Sequence, residues 1–236
     1  IFITITNKRK PLQNSYHIGE EVLSKKEVIK YLGVNIDSKL SFKQHIQEKC
    51  KRATTVLNML KRNLYFAPRS VKKKAYISCV LPILEYASTS WSPTSAKQSN
   101  SLEMIHHNAA RFVSNIYHKK GNFEVISISK ILKDLKWESL EERRIQNRLT
   151  MAYKIINNQV ILDSDMLPKV MHQQPTRTCN EVKVGYENQL FEPQSDIDVV
   201  NSTFFYATPI IWNNTVSPLQ AKSPSVDAFK HHFQKK

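Results

Sequence analysis

The chain has 236 residues, of which 41% are hydrophobic and 23% are charged, a balance typical of a globular protein. Only four are glycines, so few positions suit tight turns, which argues against a fold made mainly of strands. Thirty-five lysines and arginines against twenty acidic residues give a net charge of +15, which indicates an anionic partner. The three cysteines form no C-x-x-C pair, so neither a disulfide framework nor a zinc site is indicated.

The sequence also bears on location and completeness. No apolar run reaches the length that a membrane span needs, and no secretory signal is recognisable. We therefore expect an intracellular protein, nuclear or cytoplasmic, with no membrane partner. The chain opens on an alternating stretch, Ile1 to Thr6, without an initiator Met. Such a strand needs a neighbour, so we expect the chain to be a fragment of a longer protein.

The first forty residues predict short β-strands. The alternating stretch is one strand, residues 15–23 predict a second, and the apolar run from Val28 to Ile36 predicts a third. Gly33 inside this run indicates a bulge or a close approach of another backbone. Ser41, with Gln44 three residues later, predicts a capping box that opens a long helix.

Residues 41–120 predict a three-helix bundle. Apolar residues spaced by three and four from Phe42 to Leu64 form one stripe, and a second helix follows Pro68. Pro82 is expected to kink or split that second helix. Residues 121–236 predict a helical extension with an irregular middle, in which Ser139 and Glu142 form another capping box and short strands lie near residues 182 and 190. The fold class is therefore α+β, mostly α.

A basic window is the clearest functional signal. Residues 39–74 carry eleven positive side chains and one negative one, Glu48. We predict that this window contacts phosphates, although a solvated helix face is the alternative interpretation. Arg143, Arg144 and Arg148 stand near Glu138, Glu141 and Glu142, so intrahelical pairing explains them more simply. The predicted phosphate contacts are Lys49, Lys51, Arg52, Lys61, Arg62, Lys72, Lys73 and Lys74.

Several stretches carry a resemblance to a known family. They are KYLGVNIDSKLSFKQHI from residue 30, AYISCVLPILEYASTSWSP from residue 75 and LEMIHHNAARFV from residue 102. In this order they resemble the reverse transcriptases of non-LTR retrotransposons of the LINE type, jockey-like. The resemblance implies that residues 1–40 are the edge of the palm, 41–120 the thumb and 121–236 a C-terminal extension.

The resemblance also assigns the turn at Tyr31 and Gly33. It implies a primer-grip-like turn that holds the 3′ end of the growing strand, with Gly33 permitting close approach and Tyr31 stacking on a sugar or base. A buried strand with a bulge is the alternative, and the residues alone do not decide between the two.

Catalytic and metal-binding residues are not predicted in this chain. A polymerase needs carboxylates that hold Mg²⁺, and no acidic pair here follows an aromatic residue and alanine as in the family's motif. The resemblance places that motif, and the Mg²⁺, upstream in the parent protein, so we expect the isolated chain to be inactive. The adjacent histidine pairs 106–107 and 231–232 are expected to lie at the surface.

We therefore expect part of an RNA-directed DNA polymerase of a mobile element. Its partners would be an RNA or DNA template and primer, and the upstream fingers and palm of the same polypeptide. A stand-alone basic helical module that binds nucleic acid, or a non-functional remnant of an element, remain alternatives. The reading frame upstream of Ile1 would discriminate between them, because only the first predicts an aromatic-Ala-Asp-Asp turn there.

Overall fold

A computed structural model gives the fold of the chain in two compact units. Unit 1 comprises Ile1–Ala87 and Ser92–Glu141, and unit 2 comprises Ser88–Trp91 and Glu142–Lys236. The predicted division at residues 40 and 120 stays a prediction. The described part of the chain is mostly helical with a few short antiparallel strands, which confirms the predicted class. The structure describes residues 1–6, 14–116, 127–163, 189–196 and 198–233.

The strands of unit 1 form two antiparallel hairpins. Strands β1 (His17–Ile18) and β2 (Glu21–Val22) pair across a turn that contains Gly19, so the strand predicted over residues 15–23 folds back on itself. Strands β3 (Val28–Tyr31) and β4 (Val34–Asp37) pair with Tyr31 opposite Val34. The run predicted as one strand is therefore two strands joined by a turn.

The predicted first strand is wrong. In residues 1–6, Phe2 makes an isolated parallel bridge to Lys25, and its N–H donates to the Ser24 carbonyl at 3.0 Å. A single bridge is not a ladder, so the alternating side chains of this stretch are not fixed on the two faces of a sheet.

Five helices complete the described part of unit 1. They are α1 (Lys43–Asn63), α2 (Arg69–Cys79), α3 (Leu81–Glu85), α4 (Ala96–Val113) and α5 (Ile128–Leu135). Pro82 separates α2 from α3 as predicted, because its ring cannot continue the hydrogen-bond ladder of the second helix. The apolar stripes of α1 and α4 are buried against each other, with the core residues Ile46, Ala53, Leu57, Leu60, Leu102, Ile105, Ala109 and Phe112.

An aspartate, not the predicted capping box, joins β4 to α1. The Asp37 carboxylate accepts hydrogen bonds from the backbone N–H groups of Lys39, Ser41 and Phe42 at 2.8–3.0 Å, and from the Ser41 hydroxyl. Burial opposes ionisation of Asp37, but these bonds outweigh it and lower its pKa. The Gln44 side chain reaches Glu48 instead of returning to Ser41. Asp37 therefore satisfies the donors that a capping box would have served.

An aromatic cluster closes the other end of unit 1, and it contains a histidine predicted to lie at the surface. His106 is 1% exposed, so that prediction is wrong for it. The Tyr76 hydroxyl lies 2.6 Å from His106 Nδ1, and His106 Nε2 lies 3.0 Å from the Glu138 carbonyl. Since a carbonyl only accepts, Nε2 carries the proton and Nδ1 accepts from Tyr76. The Trp137 ring stacks on both other rings, 4.7 Å from Tyr76 and 5.2 Å from His106.

Unit 2 is built around a separate core. Its helices are α6 (Leu140–Ile156), α7 (Asp198–Asn201), α8 (Phe204–Thr215), α9 (Pro218–Ala221) and α10 (Val226–His231). The start of α6 directly after Ser139 agrees with the predicted helix start. The buried core residues of this unit are Leu149, Ala152, Tyr153, Leu190, Trp212 and Phe229.

The segment before α7 is held by a side chain of α8. The Asn213 amide accepts from the Leu190 N–H and donates to the Leu190 carbonyl, both at 2.9 Å. It thus bonds to the backbone of Leu190 as a neighbouring β-strand would. The strand predicted near residue 182 lies outside the described residues. Arg144 and Arg148 are each 8% exposed, so both are buried on α6, and their predicted intrahelical pairing stays a prediction.

In the portions that the structure describes, no helix combines the length and the apolar character needed to cross a bilayer.

Candidate nucleic-acid interface

The tip of the β3–β4 hairpin is an exposed, strained turn. Leu32 and Gly33 form its two central residues with φ of 45° and 81°, the signature of a type I′ turn. Such turns favour Asn-Gly, whereas Leu32 is bulky and is held in the left-handed region at a steric cost. Leu32 is 75% exposed and Tyr31 is 63% exposed. The bulge predicted at Gly33 is therefore wrong, and two apolar side chains project from a fixed turn.

Tyr86, the residue after α3, fixes this turn. Its hydroxyl donates to the Leu32 carbonyl at 2.9 Å. A Cβ placed on Gly33 would lie 3.3 Å from a ring carbon of Tyr86, so the position favours glycine for its space as well as its positive φ. The close approach of another backbone predicted at Gly33 is therefore not what the structure shows there, because the approaching group is the Tyr86 side chain.

Three cations gather beside the turn. The Lys49 ammonium lies 4.8 Å from the centre of the Tyr86 ring. Burial lowers the pKa of Lys49, and the positive charges of Arg52 and Lys30 lower it further. Lys30 and Arg52 are therefore within electrostatic reach of Lys49, and Arg52 follows Lys49 by one turn of α1. We call Lys30, Lys49, Arg52 and Tyr86 the tip cluster.

Two members of the tip cluster were predicted and two were missed. Lys49 and Arg52 were expected to contact phosphates. Lys49 lies against Tyr86, which bonds to the turn, and Arg52 is near enough to lower the pKa of Lys49. Lys30 sits directly before Tyr31 in the sequence, and that adjacency could have identified it. No local sequence pattern identifies Tyr86, because it is 54 residues away in sequence from Leu32, whose carbonyl it contacts.

Polar contacts dock the hairpin on α1. The Asn35 N–H donates to His45 Nδ1 at 3.2 Å, and the Asn35 amide donates to Glu48 at 2.7 Å. The hydrogen bond from Asn35, and to a smaller extent that from Gln44, lowers the pKa of Glu48. The Glu48 carboxylate therefore stays charged and is engaged by these two donors. Burial, reinforced by the charge of Lys49, lowers the pKa of His45 to about 4. His45 is therefore a neutral hydrogen-bond acceptor inside unit 1 at neutral pH.

The buried His45 predicts that stability falls on acidification. Its pKa drops from 6.5 to about 4 on folding, so the unfolded chain binds the proton more readily between these values. Stability is complete above pH 6.5 and is lost as the pH falls towards 4. From pH 7 to pH 5 the loss due to His45 should be roughly 2 kcal/mol. Denaturant unfolding of the native chain and of His45→Gln at both pH values measures this.

The His45→Gln variant provides its own control, because every other titrating group is unchanged in it. We expect its loss of stability between pH 7 and pH 5 to be smaller than that of the native chain by that amount. Equal pH dependence of the two proteins would contradict the assignment of His45 as a buried neutral acceptor.

The remaining predicted cations of α1 and α2 differ in exposure. Lys51, Arg62 and Lys74 are exposed, whereas Lys61 is half-buried and burial lowers its pKa. Lys51 and Arg62 are eleven residues apart on α1, which places them on one face at a separation of roughly 16 Å. The basic window thus presents cations on more than one surface.

Lys72 and Lys73 are held inside unit 1. Lys72 is 1% exposed, and its ammonium donates to the Tyr65 carbonyl at 2.8 Å and to the Asn115 side chain. The half-buried Lys73 donates to the Leu135 carbonyl at 3.0 Å. The prediction that Lys72 contacts phosphate is wrong for this fold, because its charged atom is used to join helix ends. Lys73 caps the last turn of α5, where carbonyls attract a cation.

The part of the chain that the structure describes contains no candidate metal site. Across the described ranges, no three His, Cys, Asp or Glu side chains are grouped so that they could hold a metal ion. The Mg²⁺ implied by the resemblance stays an expectation for the parent protein.

The β3–β4 hairpin and the tip cluster give this mostly helical protein a basic surface. Comparison with known proteins relates the sequence to a polymerase of a mobile element. The chain is similar to a protein of Drosophila melanogaster described as a probable RNA-directed DNA polymerase from transposon BS, 22% identical over 151 residues. The alignment covers 62% of this chain and 16% of that relative. No protein-family model matches the chain. No solved structure matches it.

Proposed function

We propose that the chain supplies part of the template and primer binding surface of an RNA-directed DNA polymerase of a non-LTR, LINE-type retrotransposon. One observation carries the proposal: an exposed Tyr31 and Leu32 turn is held rigid by Tyr86 beside three clustered cations. A strained, solvent-exposed apolar turn weakens the fold, and such strain typically marks a functional site. The similarity to a transposon polymerase supplies the class of ligand.

The proposed contacts divide by chemistry. Tyr31 stacks on a base or sugar of the primer end, as a flat aromatic ring does with any base. Lys30, Lys49 and Arg52 neutralise phosphates of the same strand, which positions the strand without reading its sequence. The cation–π contact with Tyr86 orients the Lys49 ammonium towards the turn.

The wider assignment follows the resemblance. Residues 1–40 are the palm edge, 41–120 the thumb and 121–236 a C-terminal extension, with the fingers and remaining palm upstream. The carboxylates and their Mg²⁺ belong to that upstream part in this proposal, and the present chain positions nucleic acid without performing phosphoryl transfer. A stand-alone nucleic-acid-binding module would bind through the same cations.

A binding experiment with matched charge changes tests the proposal. The probe is an RNA template annealed to a shorter DNA primer, titrated with the purified chain at several salt concentrations. Replacing Lys30, Lys49 and Arg52 together with Gln should reduce the magnitude of the salt slope by about three, because each lost phosphate contact lowers it by about one.

The control removes the same charge elsewhere in unit 1. Lys97, Lys130 and Lys133 are exposed on α4 and α5, so their replacement with Gln lowers the net charge equally. We expect that control to leave the slope nearly unchanged. Equal behaviour of the two triple variants would show that net charge drives binding and would reject the tip cluster as the site.

A further inference from the structure

The loop between α1 and α2 presents an aromatic side chain almost entirely to solvent. Phe66 is 95% exposed and Tyr65 is 53% exposed. Their rings meet edge to face, with centroids 4.9 Å apart and planes at 88°. An exposed aromatic ring lacks the favourable transfer from water that burial provides, so contact with a flat partner would stabilise Phe66.

The loop backbone is hydrogen-bonded on both sides of Phe66. The Tyr65 carbonyl accepts from the buried Lys72 ammonium at 2.8 Å. Leu64 N–H donates to the Leu60 carbonyl at 2.9 Å, and Ala67 N–H donates to the Leu64 carbonyl at 3.1 Å. A pre-organised aromatic ring binds a flat partner at a lower cost in conformational entropy than a mobile one.

The charge around the loop identifies the class of partner. Lys61 and Arg62 occupy the last turn of α1, and residues 49–84 include no aspartate or glutamate. Arg69, the first residue of α2, pairs with Asp134. Lys61 and Arg62 have no ion-pair partner within the described residues. An aromatic ring flanked by cations matches a base between two phosphates.

We propose that Phe66 is a stacking platform for an unpaired base of single-stranded RNA or DNA, with Lys61 and Arg62 on the adjoining phosphates. This site lies at the C-terminal end of α1, about four turns from Lys49, which belongs to the tip cluster. The inference extends the proposed function, because it specifies where an unpaired stretch of the bound nucleic acid would contact the protein. It rests on that function only in taking nucleic acid as the ligand.

The test compares single-stranded and duplex probes with purified chain. The probes are a fluorescein-labelled 12-nucleotide RNA, a DNA of the same sequence, and a blunt duplex of the same length. Phe66→Ala should weaken binding of both single strands by about tenfold or more, the effect of losing one stacked base. Binding of the blunt duplex and the salt slope of all probes should stay unchanged, since no charge is removed.

A second variant gives a direct readout of stacking. Phe66→Trp should retain affinity for the single strands, and its fluorescence should be quenched when a base stacks on the indole. The control Phe191→Ala removes another exposed phenylalanine, 54% exposed, and should change no affinity. Circular dichroism confirms that each variant is folded.

Unchanged single-strand affinity of Phe66→Ala would overturn the inference, and so would equal weakening of single strand and duplex. An unquenched Phe66→Trp would do the same. The result for the tip cluster is independent, because that site is tested by the salt slope on a primed template. Failure of one experiment therefore leaves the other interpretable.

Discussion

Replacing Lys72 with alanine should lower the free energy of unfolding by roughly 2–4 kcal/mol, the range for losing a long buried side chain together with its hydrogen bonds. The loss has two physical sources. The Tyr65 carbonyl and the Asn115 side chain lose their donor, and removal of the buried Lys72 stem beside the Phe112 ring leaves a cavity. Denaturant unfolding followed by circular dichroism measures the change.

Lys74→Ala is the matched control, two residues further along the same helix and exposed. We expect its stability to lie within about 0.5 kcal/mol of the native value. The salt slope for nucleic acid should be unaffected by Lys72→Ala in the folded protein, because its ammonium does not reach the surface. A stable Lys72→Ala variant with a reduced slope would show that Lys72 contacts phosphate after all.

Phe229→Ala should lower the stability of unit 2 by about 3–5 kcal/mol, as expected for a large aromatic residue removed from a core. Phe229 is fully buried and stacks on Tyr153, with ring centroids 4.5 Å apart, and on Trp212 at 5.8 Å. It also anchors the six-residue helix α10, which is too short to be stable without tertiary contacts. Denaturant unfolding followed by near-ultraviolet circular dichroism, which reports the packing of aromatic rings, measures the loss.

The control for this variant is Phe191→Ala, which removes the same side chain from an exposed position. Its effect should stay below about 1 kcal/mol. Similar stabilities for Phe229→Ala and Phe191→Ala would mean that the aromatic stack does not hold this unit together.

Helices were predictable because their signals are local. The apolar stripe of α1 needs only spacing by three and four, and Pro82 ends α2 through its own ring. The sequence predicted one strand in place of the hairpin because Leu32 is an unusual residue for a type I′ turn. Such turns usually contain Asn-Gly, which makes them recognisable in a sequence. The structure there depends on Tyr86, a partner that no local pattern reveals.

The basic window shows the limit of reading charge from sequence. Composition indicates that lysines and arginines are in excess, but tertiary contacts decide which of them face solvent. Lys72 and Lys74 are two residues apart and have the same side chain, yet one is buried under α4 and the other is exposed. The helical period explains this difference only once the position of α4 is known.

The bond from Lys72 to Asn115 also has a consequence for the order of folding. Helices α1 and α2 are neighbours in sequence, so their contacts form after closure of a short loop. Lys72 receives its second acceptor only when the end of α4, 43 residues away, is in place. We therefore expect the full set of bonds that hold the Tyr65 carbonyl and Lys72 to be completed only after α2 and α4 have come together. In a nascent chain that stops before residue 115, the aromatic loop would lack this support.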